Sequence, residues 1–245
     1  MPGFVDLHSH VIPSGDDGTV DVEAGIALCR QIAALGTRVL YGTPHAHPPG
    51  GPYVLTPERV EHARESYAAM KEPCAEFGLD LRLGWELSPG GALVGELADY
   101  LLEGTQGILL ELPGPWPWVP FDAVEATREQ AAEIRAAGLE VVLAHPERCV
   151  GIQRNAALLE GLVAEGALVC LNADSFVGAH EAGSEASVWH LLERGLGDFV
   201  ASDAHTTARA SRLHEAVEAI AARFGRERAL ALADGSALEQ IRDRP

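Results

Sequence analysis

The sequence contains very little lysine and no excess of basic charge. Lys71 is the one lysine among 18 basic residues, and 36 acidic residues bring the net charge to −18 at pH 7. A protein that binds the phosphate backbone of a nucleic acid needs a basic surface, so this balance argues against a nucleic-acid partner. If some of the carboxylates hold cations, the charge of the loaded protein is less negative than the formal sum.

Cysteines and long apolar runs are also scarce. The four cysteines are dispersed and form no Cys-x-x-Cys pair (Cys29, Cys74, Cys149 and Cys170), which predicts reduced thiols in the cytoplasm. No run of 18 apolar residues is present and Met1 leads directly into a predicted strand, so we expect neither membrane insertion nor a signal peptide. Because no Pro-, Gly- or Ser-rich linker divides the chain, we expect one domain over residues 1–245.

Short apolar runs alternate along the chain with longer segments of helical periodicity. We predict strands that end at Leu7, Thr43, Trp85, Leu110, Ala144, Leu171 and Ser202. We predict helices near 21–35, 57–77, 92–103, 122–137, 155–165, 185–194 and 209–223. The run 141–144 is apolar at every position, which is typical of a parallel strand covered on both faces. Seven β/α units in one domain predict an α/β barrel one unit short of the common eight-unit form.

Histidines and carboxylates stand at the ends of nearly all the predicted strands. His8 and His10 alternate with Ser9 on the first strand, so both imidazoles project from the same side. The later strand ends carry His45, Glu86, Glu111, His145, Asp203 and His205. A parallel barrel collects the loops that follow its strands on one face, so we expect these side chains to meet there. Buried carboxylates that face one another repel unless cations lie between them, and the pattern therefore predicts a metal centre.

Several other polar residues have structural interpretations. Asp16 and Asp17 compete for one ligand position after the first strand, and we favour Asp17. Asp6 is expected to be a hydrogen-bonding partner on the opposite face, and Asn172 and Asp174 to support the site or a turn. The histidines that do not follow strands are predicted to lie on the surface or to pack (His47, His62, His180, His190 and His214).

The segment 112–120 is too rich in proline to form a helix. It is either a stiff lip beside the site or a spacer. In the first case Trp116 and Trp118 would form an aromatic wall next to the ring of a substrate.

The order of the motifs resembles the polymerase-and-histidinol-phosphatase (PHP) superfamily. The chain contains HxH, DDG, TPH, GxE, LLExP, AHPER and ASDAH in that order. It is most similar to the bacterial metal-dependent tyrosine phosphatases that are encoded with capsule and exopolysaccharide genes, from Phe4 to at least the helix after Ala208. The resemblance implies a distorted (β/α)7 barrel of the PHP type that holds two to three divalent metal ions, with manganese foremost and zinc or iron as alternatives.

The resemblance also assigns roles to individual residues. Its metal ligands carry over onto His8, His10, Asp17, His45, Glu86, Glu111, His145, Asp203 and His205. Its catalytic arginines correspond to Arg148 in HPER and to Arg209. The segment from His205 to Arg209 is one residue shorter than the family spacing, which leaves Arg212 as the alternative. The implied partner is a phosphotyrosine protein, a bacterial tyrosine kinase of polysaccharide synthesis.

These residue types suit phosphoester hydrolysis. Mixed His and carboxylate ligands can bind Mn, Zn or Fe(II), and the sequence does not select one of these metals. Glu86 and Glu111 are the natural bridging carboxylates. Two neighbouring ions would turn a bridging water into hydroxide for in-line attack on phosphorus. Arg148 would offer the phosphate a planar fork that a lysine lacks. Tyrosine has an ordinary pKa of about 10, so its phenolate departs more readily than an alkoxide, which favours aryl phosphates.

Other functions are compatible with the sequence to different degrees. A cysteine-based phosphatase is rejected, because Cys149 to Arg154 is one residue too short for the CxxxxxR loop and lacks a glycine-rich cradle. An amidohydrolase with a carbamylated lysine is excluded because Lys71 lies in a predicted helix. A lysine-free metal hydrolase, a non-enzymatic metal-binding scaffold, and a phosphatase for histidinol phosphate or another small phosphoester stay open.

Overall fold

The computed structural model describes residues 3–90, 93–114, 123–181 and 183–241. Within these ranges the strands are β1 Phe4–Asp6, β2 Thr37–Gly42, β3 His45–Ala46, β4 Asp80–Leu83, β5 Glu86–Leu87, β6 Gly107–Glu111, β7 Glu140–Ala144, β8 Leu168–Asn172 and β9 Phe199–Ala201. The α-helices are α1 Val22–Ala34, α2 Pro57–Glu76, α3 Ala123–Ala136, α4 Val150–Arg154, α5 Ala157–Ala164, α6 Ala173–Phe176, α7 Ser184–Glu193, α8 Leu213–Phe224 and α9 Arg226–Ala231. Short 3-10 helices cover Leu97–Tyr100, Pro146–Arg148 and Ser236–Gln240.

The strands form two parallel sheets, in the orders β1-β2-β4 and β3-β5-β6-β7-β8-β9. The fold is therefore the predicted mixture of parallel strands and helices, but the predicted closed barrel is not confirmed, because the ladders of the described residues leave two separate sheets. The second predicted strand ends within one residue of the observed β2, and a further short strand that was not predicted, β3, begins just after Pro44, which has no N–H to donate. Single contacts still join the sheets, such as the parallel bridge between Ser9 and Ala204.

The strands divide their side chains between two apolar clusters. Leu109, Val142 and Cys170 belong to a smaller inner cluster, whereas their neighbours Ile108 and Val141 pack in the larger cluster beneath the helices. All five residues of β6 and four of the five of β7 are buried, as expected for parallel strands covered on both faces. The polar residues that follow the strands thus lie at one end of a tightly packed apolar interior.

Most predicted helices agree with the structure to within a few residues, but the one over 92–103 is wrong. The described part of that segment holds one 3-10 helix, Leu97–Tyr100. Gly95 has a φ of 99°, and Glu96 is extended and forms a capping box with Asp99, so the helix starts late. Leu101 is again extended, so the helix ends after one turn. No helix among the described residues is long and apolar enough to cross a membrane. The predicted aromatic wall of Trp116 and Trp118 lies outside the described residues.

Candidate metal centre

The first strand leads into two histidines whose side chains meet, as their alternation predicts. The Nε2 atoms of His8 and His10 lie 3.3 Å apart, and both residues are buried. Asp6 points away from them, and its Oδ1 accepts a hydrogen bond of 2.9 Å from the backbone N–H of Ser202. This bond ties the end of β1 to the segment after β9. Burial raises the pKa of Asp6 to about 6.

Glu86, the first residue of β5, lies at the centre of the histidines. Its Oε2 is 3.2 Å from His8 Nε2, 3.4 Å from His10 Nε2 and 2.9 Å from His45 Nδ1. Its Oε1 is 2.7 Å from His145 Nε2. Burial alone would raise its pKa, but the imidazoles of His8 and His45 hold the pKa of Glu86 well below its ordinary value.

Asp203 connects the histidines to the arginines. Its Oδ1 is 3.2 Å from His10 Nε2. Its Oδ2 accepts hydrogen bonds from Asn172 Nδ2 at 3.0 Å and from Arg148 and Arg209, each at 3.3 Å. Burial opposes ionisation, yet the neighbouring imidazoles keep the pKa of Asp203 well below its ordinary value. One oxygen thus faces the histidines while the other holds the two arginines.

The DDG loop separates the roles of its two aspartates. Asp17 Oδ1 lies 3.4 Å from His45 Nε2 and 3.5 Å from His205 Nε2. Asp16 instead turns inward, where its Oδ2 accepts from the backbone N–H of His45 at 3.0 Å and lies 3.3 Å from His10 Nδ1. The geometry thus presents Asp17 to the cavity and uses Asp16 to orient the histidines.

Eight of the nine predicted ligands fall into three overlapping sets of potential metal-binding atoms. Within each set the ligand atoms lie within 4.8 Å of one another: His10, Asp17, His45 and His205; His8, Glu86 and His145; His8, His10 and Asp203. The ninth, Glu111, lines the same cavity, but its Oε2 accepts a hydrogen bond from Ser88 Oγ and it belongs to none of these sets. The predicted bridging pair of Glu86 and Glu111 is therefore asymmetric, with Glu86 among the histidines and Glu111 at the wall.

Two residues of this cluster have unusual backbone conformations. His145 and Asp203 have φ values of 37° and 53°, and they are the non-glycine residues with positive φ in the described part of the chain. This left-handed region is sterically unfavourable for residues with a Cβ atom and typically costs about 1–3 kcal/mol. His145 directly follows the buried end of β7, and Asp203 follows β9 by two residues; at both places the chain must turn sharply while keeping a side chain aimed at the cluster.

The cluster opens into a cavity of about 310 Å³ whose wall includes residues that the sequence did not identify. His47, Tyr53, His180 and Glu181 all line it. His47 packs against the rings of His45 and Tyr53, as the prediction allowed, but the prediction did not include its place, or that of His180, beside the site. Burial, reinforced by the charge of His45, lowers the pKa of His47 to about 4. His47 repeats the alternation of His8 and His10, since it follows His45 by two residues; this signal could have found it.

Arg148 and Arg209 reach the same cavity, whereas Arg212 does not. Arg148 is 8% exposed and donates from Nε and Nη2 to Glu181, at 3.3 and 2.8 Å, in addition to its bond with Asp203. Arg209 lines the cavity, while Arg212 pairs with Glu215 at 2.7 Å and faces a different cavity. The shortened spacing after His205 therefore still brings Arg209 to the site.

The HPER turn is anchored from below by Glu147. Its Oε1 accepts hydrogen bonds from the backbone N–H of Asn172 at 3.0 Å and from Ser175 Oγ at 2.7 Å. Burial raises the pKa of Glu147. These bonds fix the 3-10 turn Pro146–Arg148 against the end of β8, which positions the Arg148 side chain.

A parallel α/β fold with histidines and carboxylates gathered at the carboxyl ends of its strands defines a class of metal-binding α/β proteins. The model of the family "Capsular polysaccharide synthesis, CpsB/CapC" matches residues 4–240, and the chain belongs to this family. The chain is 32% identical to tyrosine-protein phosphatase YwqE of Bacillus subtilis over 231 residues, which is 91% of this chain and 86% of YwqE. It is 25% identical to tyrosine-protein phosphatase CpsB of Streptococcus pneumoniae over 240 residues, 92% of this chain and 93% of CpsB.

A solved structure agrees with these relationships. A chain from the crystal structures of YwqE from Bacillus subtilis and CpsB from Streptococcus pneumoniae matches this one with a TM-score of 0.78 and 29% identity. Those proteins are described as unique metal-dependent tyrosine phosphatases. The match covers 98% of this chain and 95% of that chain. The predicted relationship to the bacterial tyrosine phosphatases of capsule synthesis is confirmed.

Proposed function

We propose that this protein is a metal-dependent tyrosine-protein phosphatase of the PHP type. The observation that carries the proposal is a cluster of eight potential metal ligands, five of which line one cavity together with Arg148 and Arg209, in a chain whose relatives are named tyrosine-protein phosphatases. The metal ions would be two to three in number, with manganese foremost and zinc or iron as alternatives.

The residues present fit such ions. Glu86 Oε2 is fully buried and has no properly oriented hydrogen-bond donor among the described residues, although three imidazole nitrogens lie within 3.4 Å of it. Atoms that approach one another without hydrogen-bonding are typical of ligands that converge on a shared cation. We assign the ligand roles to His8, His10, Asp17, His45, Glu86, Glu111, His145, Asp203 and His205. Bound divalent ions polarise phosphoryl oxygens and lower the pKa of bound water.

The two arginines would bind the phosphate of the substrate. Arg148 is held on two sides by Glu181 and Asp203, so its guanidinium is oriented before substrate arrives. A planar guanidinium presents parallel N–H groups that match two phosphate oxygens. Arg209 is more exposed and would close on the phosphate from the opening of the cavity. Both guanidinium groups would stabilise the negative charge that is spread over the phosphoryl oxygens in the transition state.

The substrate class follows from the leaving group and the family. A phenol has an ordinary pKa of about 10, so a tyrosyl oxygen leaves with less help than the far more basic alkoxide of serine. The description of the family refers to capsular polysaccharide synthesis. We infer that the phosphotyrosine belongs to a bacterial tyrosine kinase of that process, and that the reaction takes place in the cytoplasm.

Turnover on four substrates tests this function. With Mn²⁺ present, we expect p-nitrophenyl phosphate and a phosphotyrosine peptide to be hydrolysed with higher kcat/KM than a phosphoserine peptide or histidinol phosphate. A wide margin in favour of histidinol phosphate would show that the protein is a small-molecule phosphatase instead. Elemental analysis after manganese loading tests the metal centre separately, and less than one bound equivalent would refute it.

A further inference from the structure

Arg59 lies in the first turn of α2, where a basic side chain is unfavourable because the beginning of a helix carries partial positive charge. Thr56 caps this turn by accepting a hydrogen bond of 3.3 Å from the backbone N–H of Arg59. The Arg59 side chain is partly buried and contacts segments that precede the helix. A residue that opposes the helix dipole is expected to have a role outside its own helix.

The Arg59 guanidinium forms five hydrogen bonds, as many as it has N–H groups. Nε donates to the backbone carbonyl of Ser14 at 2.9 Å, and Nη1 donates to the carbonyls of Tyr53 and Val54 at 2.5 and 3.2 Å. Nη2 donates to the hydroxyl of Ser14 at 3.1 Å and to the carbonyl of His45 at 3.2 Å. One side chain therefore connects three separate segments of the chain, mainly through their backbone.

Two of these bonds anchor the loop that carries Asp17. Ser14 accepts both of them, is fully buried and precedes Asp17 by three residues. Between the two residues, Gly15 has a φ of 79°, and glycine is the residue with the greatest backbone freedom. The position of Asp17 thus depends on a contact from outside the loop, and Arg59 supplies it.

The other bonds hold His45 in two ways. The carbonyl of His45 accepts directly from Arg59. The ring of Tyr53 stacks on the imidazole of His45, with centroids 5.4 Å apart and planes inclined by 10°, and Arg59 binds the backbone carbonyl of Tyr53. Arg59 therefore fixes both the backbone of His45 and the aromatic ring that packs against its imidazole.

Asp17 and His45 belong to the same potential metal-binding set. We call it the outer set, because Asp17 is its exposed member; it consists of His10, Asp17, His45 and His205. The other two sets contain neither Asp17 nor His45. A change at Arg59 should therefore disturb the outer set and leave the other two in place.

We propose that Arg59 is a positioning residue that sets the affinity of the outer set for its metal ion. It holds Asp17 and His45 at the separation that a shared ion requires, through hydrogen bonds to the backbone around them. The inference rests on the proposed metal centre and adds to it a residue that touches neither metal nor substrate.

The charge of Arg59 and its hydrogen bonds act on a metal ion in opposite directions. A positive charge near the site repels a cation, so loss of the charge alone would strengthen metal binding. Loss of the bonds that hold the ligands would weaken it, and substitution of groups that orient metal ligands typically lowers affinity about 10–100-fold. The sign of the change therefore distinguishes positioning from electrostatics.

The test is equilibrium dialysis of the metal-stripped chain against Mn²⁺, with bound metal measured by elemental analysis. At the lowest Mn²⁺ concentration that saturates the wild type, Arg59→Ala should bind about one ion fewer, and about 10–100-fold more Mn²⁺ should restore the full number. Arg59→Lys keeps the charge but has three donors on one nitrogen, so it should also bind more weakly than the wild type. The matched control is Arg64→Ala, an exposed arginine on the same helix, which should bind like the wild type.

A rescue experiment separates positioning from a general loss of structure. Millimolar guanidinium chloride should restore the missing ion to Arg59→Ala, because free guanidinium can occupy the same five acceptors, whereas sodium chloride at equal ionic strength should not. Wild-type or tighter Mn²⁺ binding by Arg59→Ala would overturn the proposal. Loss of every ion from Arg59→Ala without rescue would overturn it as well, since the outer set would then not be affected selectively. Less than one equivalent of Mn²⁺ on the wild type would refute the metal centre itself.

Discussion

Replacement of Arg148 by lysine tests the proposed chemistry directly. We expect Arg148→Lys to retain metal and fold but to lose about 10²–10³-fold in turnover, which is the usual effect of removing one preorganised electrostatic group. This corresponds to about 2.7–4 kcal/mol in the activation barrier.

The magnitude follows from what a lysine cannot reproduce at this position. The Arg148 guanidinium holds Glu181 through Nε and Nη2 and Asp203 through Nη1. A lysine side chain has a single nitrogen with three N–H donors. If that nitrogen contacts both carboxylates, it cannot also present two parallel N–H groups to the phosphate. The positive charge of lysine still neutralises Asp203 and Glu181, but the planar pair of N–H groups is lost.

The assay is steady-state hydrolysis of p-nitrophenyl phosphate with Mn²⁺, together with elemental analysis and thermal melting. Turnover within about threefold of the wild type at full metal content would refute the role of Arg148. Cys149→Ser is the neighbouring control, since a buried thiol beside the arginine should not matter if no thiolate attacks phosphorus. An inactive Cys149→Ser enzyme with normal metal content would overturn the metal-based mechanism.

Five further substitutions, in three experiments, separate the roles of residues that are neighbours in sequence or in space. Asp17→Asn should lose about one equivalent of bound manganese by elemental analysis. Asp16→Asn should keep the full number of bound ions and bind them about 10–100-fold more weakly, because Asp16 only orients the histidines. Loss of the same number of manganese ions from both variants would contradict this. Arg209→Ala should lower kcat at least about tenfold, while Arg212→Ala, which breaks a surface ion pair with little energetic value, should stay within about twofold; the opposite kinetic result would transfer the role to Arg212. Glu181→Gln should bind inorganic phosphate more tightly, because a competing anion leaves Arg148; an unchanged inhibition constant would argue against competition.

Much of the centre follows from strand alternation. β1 ends at Asp6, but Ser9 still forms a parallel bridge to Ala204, and residues two apart along such a segment share a side, so His8 and His10 meet. The polar residues that follow the other strands converge because parallel strands end at the same face of the fold. The first rule needs only the local sequence, and the second needs only the prediction that the strands are parallel. They bring Glu86, His145 and Asp203 to one place although those residues are far apart in the chain.

The parts that the sequence did not predict depend on tertiary arrangement. Whether ladder hydrogen bonds continue across Pro44 depends on how neighbouring strands approach, so the break between the two sheets is not visible in periodicity. His180 lies in a loop after α6, where no alternation indicates its direction. Arg209 and Arg212 differ only in how the loop turns after His205, which residue counting cannot determine.

The left-handed backbone at His145 and Asp203 has an evolutionary consequence. Glycine adopts this conformation without steric cost, so local backbone energy alone would favour its appearance at both positions. Substitution by glycine is opposed because it would remove the imidazole of His145 or the carboxylate of Asp203. A descendant in which the proposed metal centre had no function would be under no selection against glycine at these positions. Retention of a bulky side chain at either position in a related sequence is therefore a sign that selection still maintains a working centre.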